Sequence, residues 1–397
     1  MYIKHLALTN FRNFVDVEEI TFPEQSFLVA AAPNATGKTN FLEAIAMLLR
    51  GKSFRASAEE CVRWGEDSYL LRGEVVSQAG EARLAVQYHQ PTRKMRIEEN
   101  GAPASPVTFF SHYPYILFLP DDTNLVIGGP ALRRNFLNHI LVSLPSYLPA
   151  LVQYHRALKQ RNALLKQGGA THELDAWTDV LIEHSGPLWN QRESFTQFIN
   201  AQLSEIYQSL TGEELPFKAV LVTSASPEEY RSKLAESLAY EQRVGFTLHG
   251  PHRDDVAITT QGRPLRAALS RGQLRSVVIA LKIAAYRFIY KTTKEQPLLL
   301  LDEVLSELDD KRQATLLKNL PATQILLTCT NVPDILHERG NVHLLDLRSI
   351  LVEKEAASPT PEAEQPQVEE AQVAAEEVVA TNSQEPVTSN QHKEVAL

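Results

Sequence analysis

Cysteine is scarce: Cys61 and Cys329 are the only two in 397 residues. Two thiols make neither a disulfide framework nor a thiolate metal cage, so a reducing cytosol is the expected compartment. Long apolar runs are missing too. No stretch reaches the ~18–20 residues of a membrane span. The opening Met1-Tyr2-Ile3-Lys4-His5-Leu6 lacks the long apolar core of a signal peptide. No internal repeat is visible. The body also lacks an excess of either charge. The formal net charge is −9, but ten carboxylates and two lysines fall between Glu353 and Leu397. The remainder carries 37 basic and 38 acidic residues. A near-neutral body does not advertise nucleic-acid binding, yet it permits a local basic face.

What is present is a 44% apolar chain, long enough for one large or two ordinary domains. Residues 1 to 30 alternate like paired strands, with a turn at Pro23-Glu24-Gln25. Tyr69 to Val76, Ala82 to Tyr88 and Met95 to Ile97 read as an antiparallel meander against the strand Phe27 to Ala31. From Pro130 the pattern turns helical: Ala131 to Leu141, then Leu148 to Gln167 with Leu151, Leu158 and Leu165 at seven-residue spacing. Leu174, Trp177, Leu181 and Leu188 predict a further helix. Phe195, Ile199, Leu203, Ile206 and Leu210 predict another, stopped by Gly212. A strand at Phe217 to Val222 and a helix from Pro227 to about Glu241 follow. The expected organisation is an α/β head over 1–118 and 248–352, with a short helical lobe inserted at 119–247. Residues 353–397, rich in Pro, Glu, Gln, Ala and Ser, are expected to be a disordered acidic tail.

Chemistry concentrates at Ala32-Pro33-Asn34-Ala35-Thr36-Gly37-Lys38-Thr39. The stretch lies between an apolar strand and the helix that starts at Asn40. Strand, tight loop, Gly-Lys-Thr and helix is the layout of a phosphate-binding loop. Backbone N–H groups cradle phosphates, Lys38 reaches the terminal ones, and the Thr39 hydroxyl holds Mg²⁺. Ala32 and Ala35 stand where glycine is common. An alanine forced to positive φ costs ~1–2 kcal/mol, about tenfold in affinity. Leu298-Leu299-Leu300-Leu301-Asp302-Glu303 is an apolar strand ending in two carboxylates. In a P-loop ATPase such a strand offers Asp302 to Mg²⁺ and Glu303 to the water that attacks the γ-phosphate. Ser306-Glu307-Leu308-Asp309 resembles the D-loop of ABC-type ATPases, and Leu269-Ser270-Arg271-Gly272-Gln273 resembles their signature. Ser270, Gly272 and Gln273 would then grip the γ-phosphate of a second copy. The later strand Leu326 to Thr330 lies where a switch histidine is usual. Thr328 or Thr330 is the candidate substitute.

The opening through Asn10-Phe11-Arg12-Asn13-Phe14 resembles the RecF family. So do Asn40-Phe41-Leu42-Glu43-Ala44-Ile45, the element Gly51 to Arg55, Phe118 to Val126, Arg133 to Asn138, Tyr154 to Asn162, Gly250-Pro251-His252-Arg253-Asp254-Asp255 and the signature. The resemblance spans roughly residues 1 to 350. It implies an ABC/SMC-like head that dimerises on ATP and Mg²⁺. It also implies binding to double-stranded and gapped DNA, and help in loading RecA with RecR and RecO, as a weak DNA-stimulated ATPase. Glu303 departs from the family's common Asp. Arg12 is a candidate nucleotide contact. Arg133 and Arg134 read either as a solvated helix face or as phosphate contacts; Lys159 and Arg161 read either as surface charges or as a stripe facing a duplex. His252 and Arg253 read as structural or as nucleotide- or interface-linked. The alternative function is a degenerate ABC-type DNA-binding scaffold that binds ATP weakly and hydrolyses little or none. An ABC transporter subunit is disfavoured by the absence of membrane-coupling sequence.

Overall fold

A computed structural model describes residues 1–24, 27–168, 171–321, 323–337 and 341–351. The acidic tail expected over 353–397 lies outside the described residues. The strands are β1 Tyr2–Phe11, β2 Phe14–Thr21, β3 Phe27–Ala31, β4 Ser68–Ser77, β5 Gly80–His89, β6 Lys94–Glu99, β7 Ala102–Pro103, β8 Tyr115–Phe118, β9 Phe217–Val222, β10 Asp255–Thr260, β11 Arg263–Pro264, β12 Leu298–Asp302, β13 Ile325–Cys329 and β14 Val342–Leu345. The helices of ten residues or more are α1 Lys38–Arg50, α2 Pro130–Leu141, α3 Tyr147–Gln167, α4 Thr171–Thr211, α5 Tyr230–Val244, α6 Arg271–Thr293 and α7 Asp310–Asn319.

Two sheets sandwich α1. The parallel sheet runs β14-β3-β13-β12-β8, and an antiparallel sheet runs β2-β1-β4-β5-β6-β7. β12 is buried at every position because it is covered on both faces. Leu298 and Leu300 turn into a core with Phe41, Leu42 and Ile45 of α1 and Leu71 and Val86 of the antiparallel sheet. Leu299 and Leu301 turn the other way, into a core shared with the helical lobe and α6. The meander differs from expectation. Its β4 pairs with β1, not with β3, and α1 separates it from the nucleotide strand.

The helical lobe also departs from the sequence reading. The two helices expected after Gly169 are one helix of 41 residues, α4, with Pro187 inside it. Leu174, Leu181, Leu188 and Phe195 keep a seven-residue spacing across that proline, and each is at most 1% exposed. Burying such side chains contributes about 1.5–3 kcal/mol each, enough to offset the ~3 kcal/mol that an interior proline costs. β9 pairs antiparallel with β10, from Phe217–Thr260 to Val222–Asp255. The segment after residue 248 therefore shares a sheet with the segment before it. Among the described residues, no helix is long and apolar enough to cross a membrane.

Candidate phosphate-binding site

The loop 32–37 leaves the end of β3, which lies between β13 and β14 in the parallel sheet. α1 then starts at Lys38, with Gly37 at φ +100° as its N-cap. A side chain at Gly37 would strike Asn13, whose amide would lie 2.5 Å from the added carbon. Here glycine is required twice, for the dihedral and for the close approach. Of the two alanines only Ala35 takes a positive φ, +67°. Ala32 is buried and does not take a positive φ, so the αL strain expected there is absent.

Lys38 is 5% exposed. Its ammonium donates to the Ala32 carbonyl at 2.6 Å and to Thr330 Oγ1 at 3.1 Å, and it pairs with Glu303 Oε1 at 2.6 Å. Thr39 Oγ1 donates to Asp302 Oδ2 at 2.7 Å. The other Asp302 oxygen accepts from Thr328 Oγ1, also at 2.7 Å. The two threonines thus divide the work. Thr328 is buried and holds Asp302, while Thr330 faces the loop and also reaches Glu303 at 3.2 Å. Glu303 itself sits at φ +52°, an αL conformation that costs a non-glycine residue about 1–3 kcal/mol and clusters at functional sites. Mg²⁺ takes one or two protein oxygens and leaves the rest to water and phosphate. The hard oxygens of Thr39 and Asp302 fit that demand.

A second network also reaches the loop. Glu43, fully buried in α1, accepts two bonds from Arg12 at 2.8 Å each, one from Arg55 at 2.9 Å and one from Ser53 at 2.5 Å. Burial alone would raise its carboxyl pKa; the bonds from Arg12, Arg55 and Ser53 outweigh it and hold the group below the usual range. Arg12 is therefore committed to Glu43 and to the Glu60 carbonyl. Arg55 also bonds Asn40, Asn40 bonds Asn13, and Asn13 Nδ2 donates to the Thr36 carbonyl at 3.1 Å. The sequence reading missed Asn13. Its signal was the glycine at position 37, which marks a place where another group must come close.

The signature residues have other partners. Ser270 N-caps α6 in a capping box with Gln273: the Gln273 N–H donates to Ser270 Oγ at 3.3 Å, and the Ser270 N–H donates to Gln273 Oε1 at 3.0 Å. Gln273 also donates to Glu213 at 2.9 Å, and Gly272 packs against Arg312 of α7. These bonds run among themselves and to the lobe, not to the phosphate loop.

The arginines proposed for nucleic acid fare unequally. Arg161 is 1% exposed, paired with Glu241 at 2.7 Å and bonded to Thr247 and Thr178. It pins α3 to α5 and has no path to a phosphate. Arg133 grips Asp255 with two bonds, at 2.6 and 2.8 Å. Arg134 is half-buried and donates to the Asp254 carbonyl, while Lys159 is exposed on α3. His252 is half-buried and bonds Tyr154 and the Thr247 carbonyl, a structural placement.

The profile of the RecF/RecN/SMC N-terminal domain matches residues 2–336. DNA replication and repair protein RecF of Moorella thermoacetica is 36% identical, over 83% of this chain and 90% of the relative. RecF of Geotalea daltonii is 33% identical over 84% and 94%. The chain belongs to the RecF family. A solved structure of the recombination mediator protein RecF with ATP superposes with a TM-score of 0.78 at 29% identity, over 84% of this chain and 93% of that one. An Smc head domain from Pyrococcus furiosus shares the fold, with a TM-score of 0.51 at 17% identity. The ABC/SMC-type head inferred from motif order is thus the RecF head.

Proposed function

We propose that this chain is an ATP-dependent DNA clamp of RecF type. The observation that carries the reading is the convergence of Lys38, Thr39, Asp302, Glu303 and Thr330 on one phosphate loop. The solved RecF with ATP supports the choice of nucleotide. ATP would lie with its phosphates against the N–H groups of residues 34–39. Lys38 would then exchange Glu303 for the γ-phosphate. Thr39 and Asp302 would hold Mg²⁺, which when bound neutralises phosphate charge. The released Glu303 carboxylate would take a proton from water as its oxygen bonds the γ-phosphorus. The bond to the β,γ-bridging oxygen would break, giving ADP and phosphate. Ser270, Gly272 and Gln273, which bond elsewhere than to their own loop, would complete the site on a second copy, so ATP would drive homodimerisation.

Duplex or gapped DNA, and the RecR, RecO and RecA steps, extend this reading from the family. Lys159 and Arg134 remain candidate phosphate contacts; Arg133 and Arg161 do not. The degenerate-scaffold alternative draws on one observation, the positive φ at Ala35 and Glu303. Steady-state ATP hydrolysis with gapped DNA, run beside sedimentation, decides between them. Turnover that vanishes in Glu303→Gln supports the clamp enzyme. Lys38→Ala should weaken ATP binding roughly 10–100-fold and abolish ATP-dependent dimerisation. DNA binding by a monomer that ATP does not affect would sink the clamp.

A further inference from the structure

Three arginines bracket the Ser270 cap. Arg263 lies on β11, Arg266 in the short helix Leu265–Ala268, and Arg271 opens α6. All three are exposed, and none makes an ion pair with a described residue. Glu213, which reaches this segment, accepts from Gln273 and Tyr207, and Asp309 pairs with Arg312, the residue packed on Gly272. Three guanidinium forks within nine residues thus face water, in a body that carries no excess of positive charge.

The matching charge is in the same chain. The 45 residues 353–397 hold ten carboxylates against two lysines, with adjacent pairs at Glu369-Glu370 and Glu376-Glu377. The place where this segment starts is fixed. β14 runs parallel to β3, with Leu345 opposite Ala30, so it finishes at the end of the sheet from which the phosphate loop leaves. The short helix Leu347–Leu351 follows, with Leu347 fully buried in the core around α1. The arginines lie toward that end too. Arg275 and Val278, in the first two turns of α6, share a cavity with Phe118, the last residue of β8, and with Val304, just past the end of β12. β14 and β8 are the two edges of the parallel sheet, about 20 Å apart at ~4.8 Å per strand spacing. A segment of 45 residues can span up to about 150 Å, so reach does not limit the encounter.

We propose that residues 353–397 dock on the Arg263, Arg266 and Arg271 face of their own head. A guanidinium fork takes a carboxylate through two parallel bonds. Each exposed pair is weak, but covalent attachment raises the local concentration to the order of millimolar, and several weak pairs then suffice. The contact is electrostatic and falls with salt. Because the arginines bracket Ser270, a docked segment would cover the surface that a second copy must approach. That consequence rests on the dimer reading; the docking does not.

The test uses the full chain with Val373 replaced by the photo-crosslinker benzoylphenylalanine, without nucleotide. Cross-links should form within one copy, map to residues 261–275, and vanish in about 0.5 M salt or in Arg263→Glu with Arg266→Glu. Cross-links that are absent, map elsewhere, persist at that salt or join two copies overturn the docking. Their absence, with weaker duplex binding in the arginine variant, would give the face to nucleic acid instead. In sedimentation with ATP, the full chain carrying Glu369→Gln, Glu370→Gln, Glu376→Gln and Glu377→Gln should dimerise at roughly fivefold lower protein concentration than wild type. An unchanged midpoint overturns the covering of Ser270. If wild type does not dimerise with ATP at all, the dimer reading falls, while the cross-links still decide the docking.

Discussion

The phosphate site and the helical lobe are both built on pairs of a cation and a carboxylate, and they use them in opposite ways. In the lobe, Arg161 with Glu241 and Arg192 with Asp254 are sealed: every side chain is at most 2% exposed. At the loop, Lys38 with Glu303 is partly open, with Glu303 20% exposed. Lys38 also has Thr330 and Asn34 as neighbouring acceptors, so it can change partner without being left bare. A sealed pair must keep its partner, because the desolvation of both charges has already been paid; an openable pair can trade its partner for a ligand.

The largest expected effect comes from breaking a sealed pair. Arg192→Ala or Arg161→Ala should cost about 3–5 kcal/mol in urea unfolding, while ATP affinity in the folded fraction stays unchanged. A cost under about 1 kcal/mol would show the lobe pair to be no different from a surface one. Acid provides the next test. Burial, with Arg253 nearby, depresses His252 to about 3, and burial with Arg192 and Arg134 depresses His155 to about 4. The unfolded chain protonates these rings near 6.5, so it binds more protons than the folded one below that pH. Stability is therefore full above pH 6.5 and falls as the pH drops toward 4, by on the order of 1 kcal/mol per ring per pH unit. Thermal melting from pH 7 to 5 measures this, and a flat profile would contradict it. The smallest effect belongs to the loop. Ala35→Gly should relieve up to about 1 kcal/mol of αL strain, read as a higher melting temperature. Ala32→Gly should gain nothing, because the position takes no positive φ and a buried methyl is lost; a gain there would mean that the glycine pattern matters for another reason.

The strand-loop-helix around 32–39, the two-carboxylate strand and the stretches that resemble a D-loop and a signature are each local patterns with fixed spacing. Their order along the chain was enough to predict the head. What escaped was whatever depends on partners remote in sequence. Arg161 reads as a surface charge until Glu241 folds over it. Arg133 looks like a phosphate contact until Asp255 arrives on β10. The apolar residues to Leu188 and those from Phe195 read as two helices, and only the continuous buried stripe on both sides shows them to be one. Thr328 and Thr330 could not be told apart by type; Thr328 is a buried residue inside β13, whereas Thr330 follows the strand's end at Cys329, where the chain has left the sheet beside the loop.

The unbroken α4 has a mechanical meaning. At 41 residues it is a rod of about 60 Å. Along its second half Phe195 and Phe198 edge onto Phe288, Gln202 accepts from Arg287, and the Ser209 carbonyl accepts from Asn319. Those contacts weld it to the signature helix and to the helix after the D-loop. Its first half runs out along α3 into the arm. Pro187, which removes one backbone hydrogen bond, is the weak point of the rod; with the apolar packing on both sides of it intact, a tilt at the far end would reappear as displacement at the helix that carries Ser270. The contacts along α4 thereby join the arm to the helix that carries Ser270.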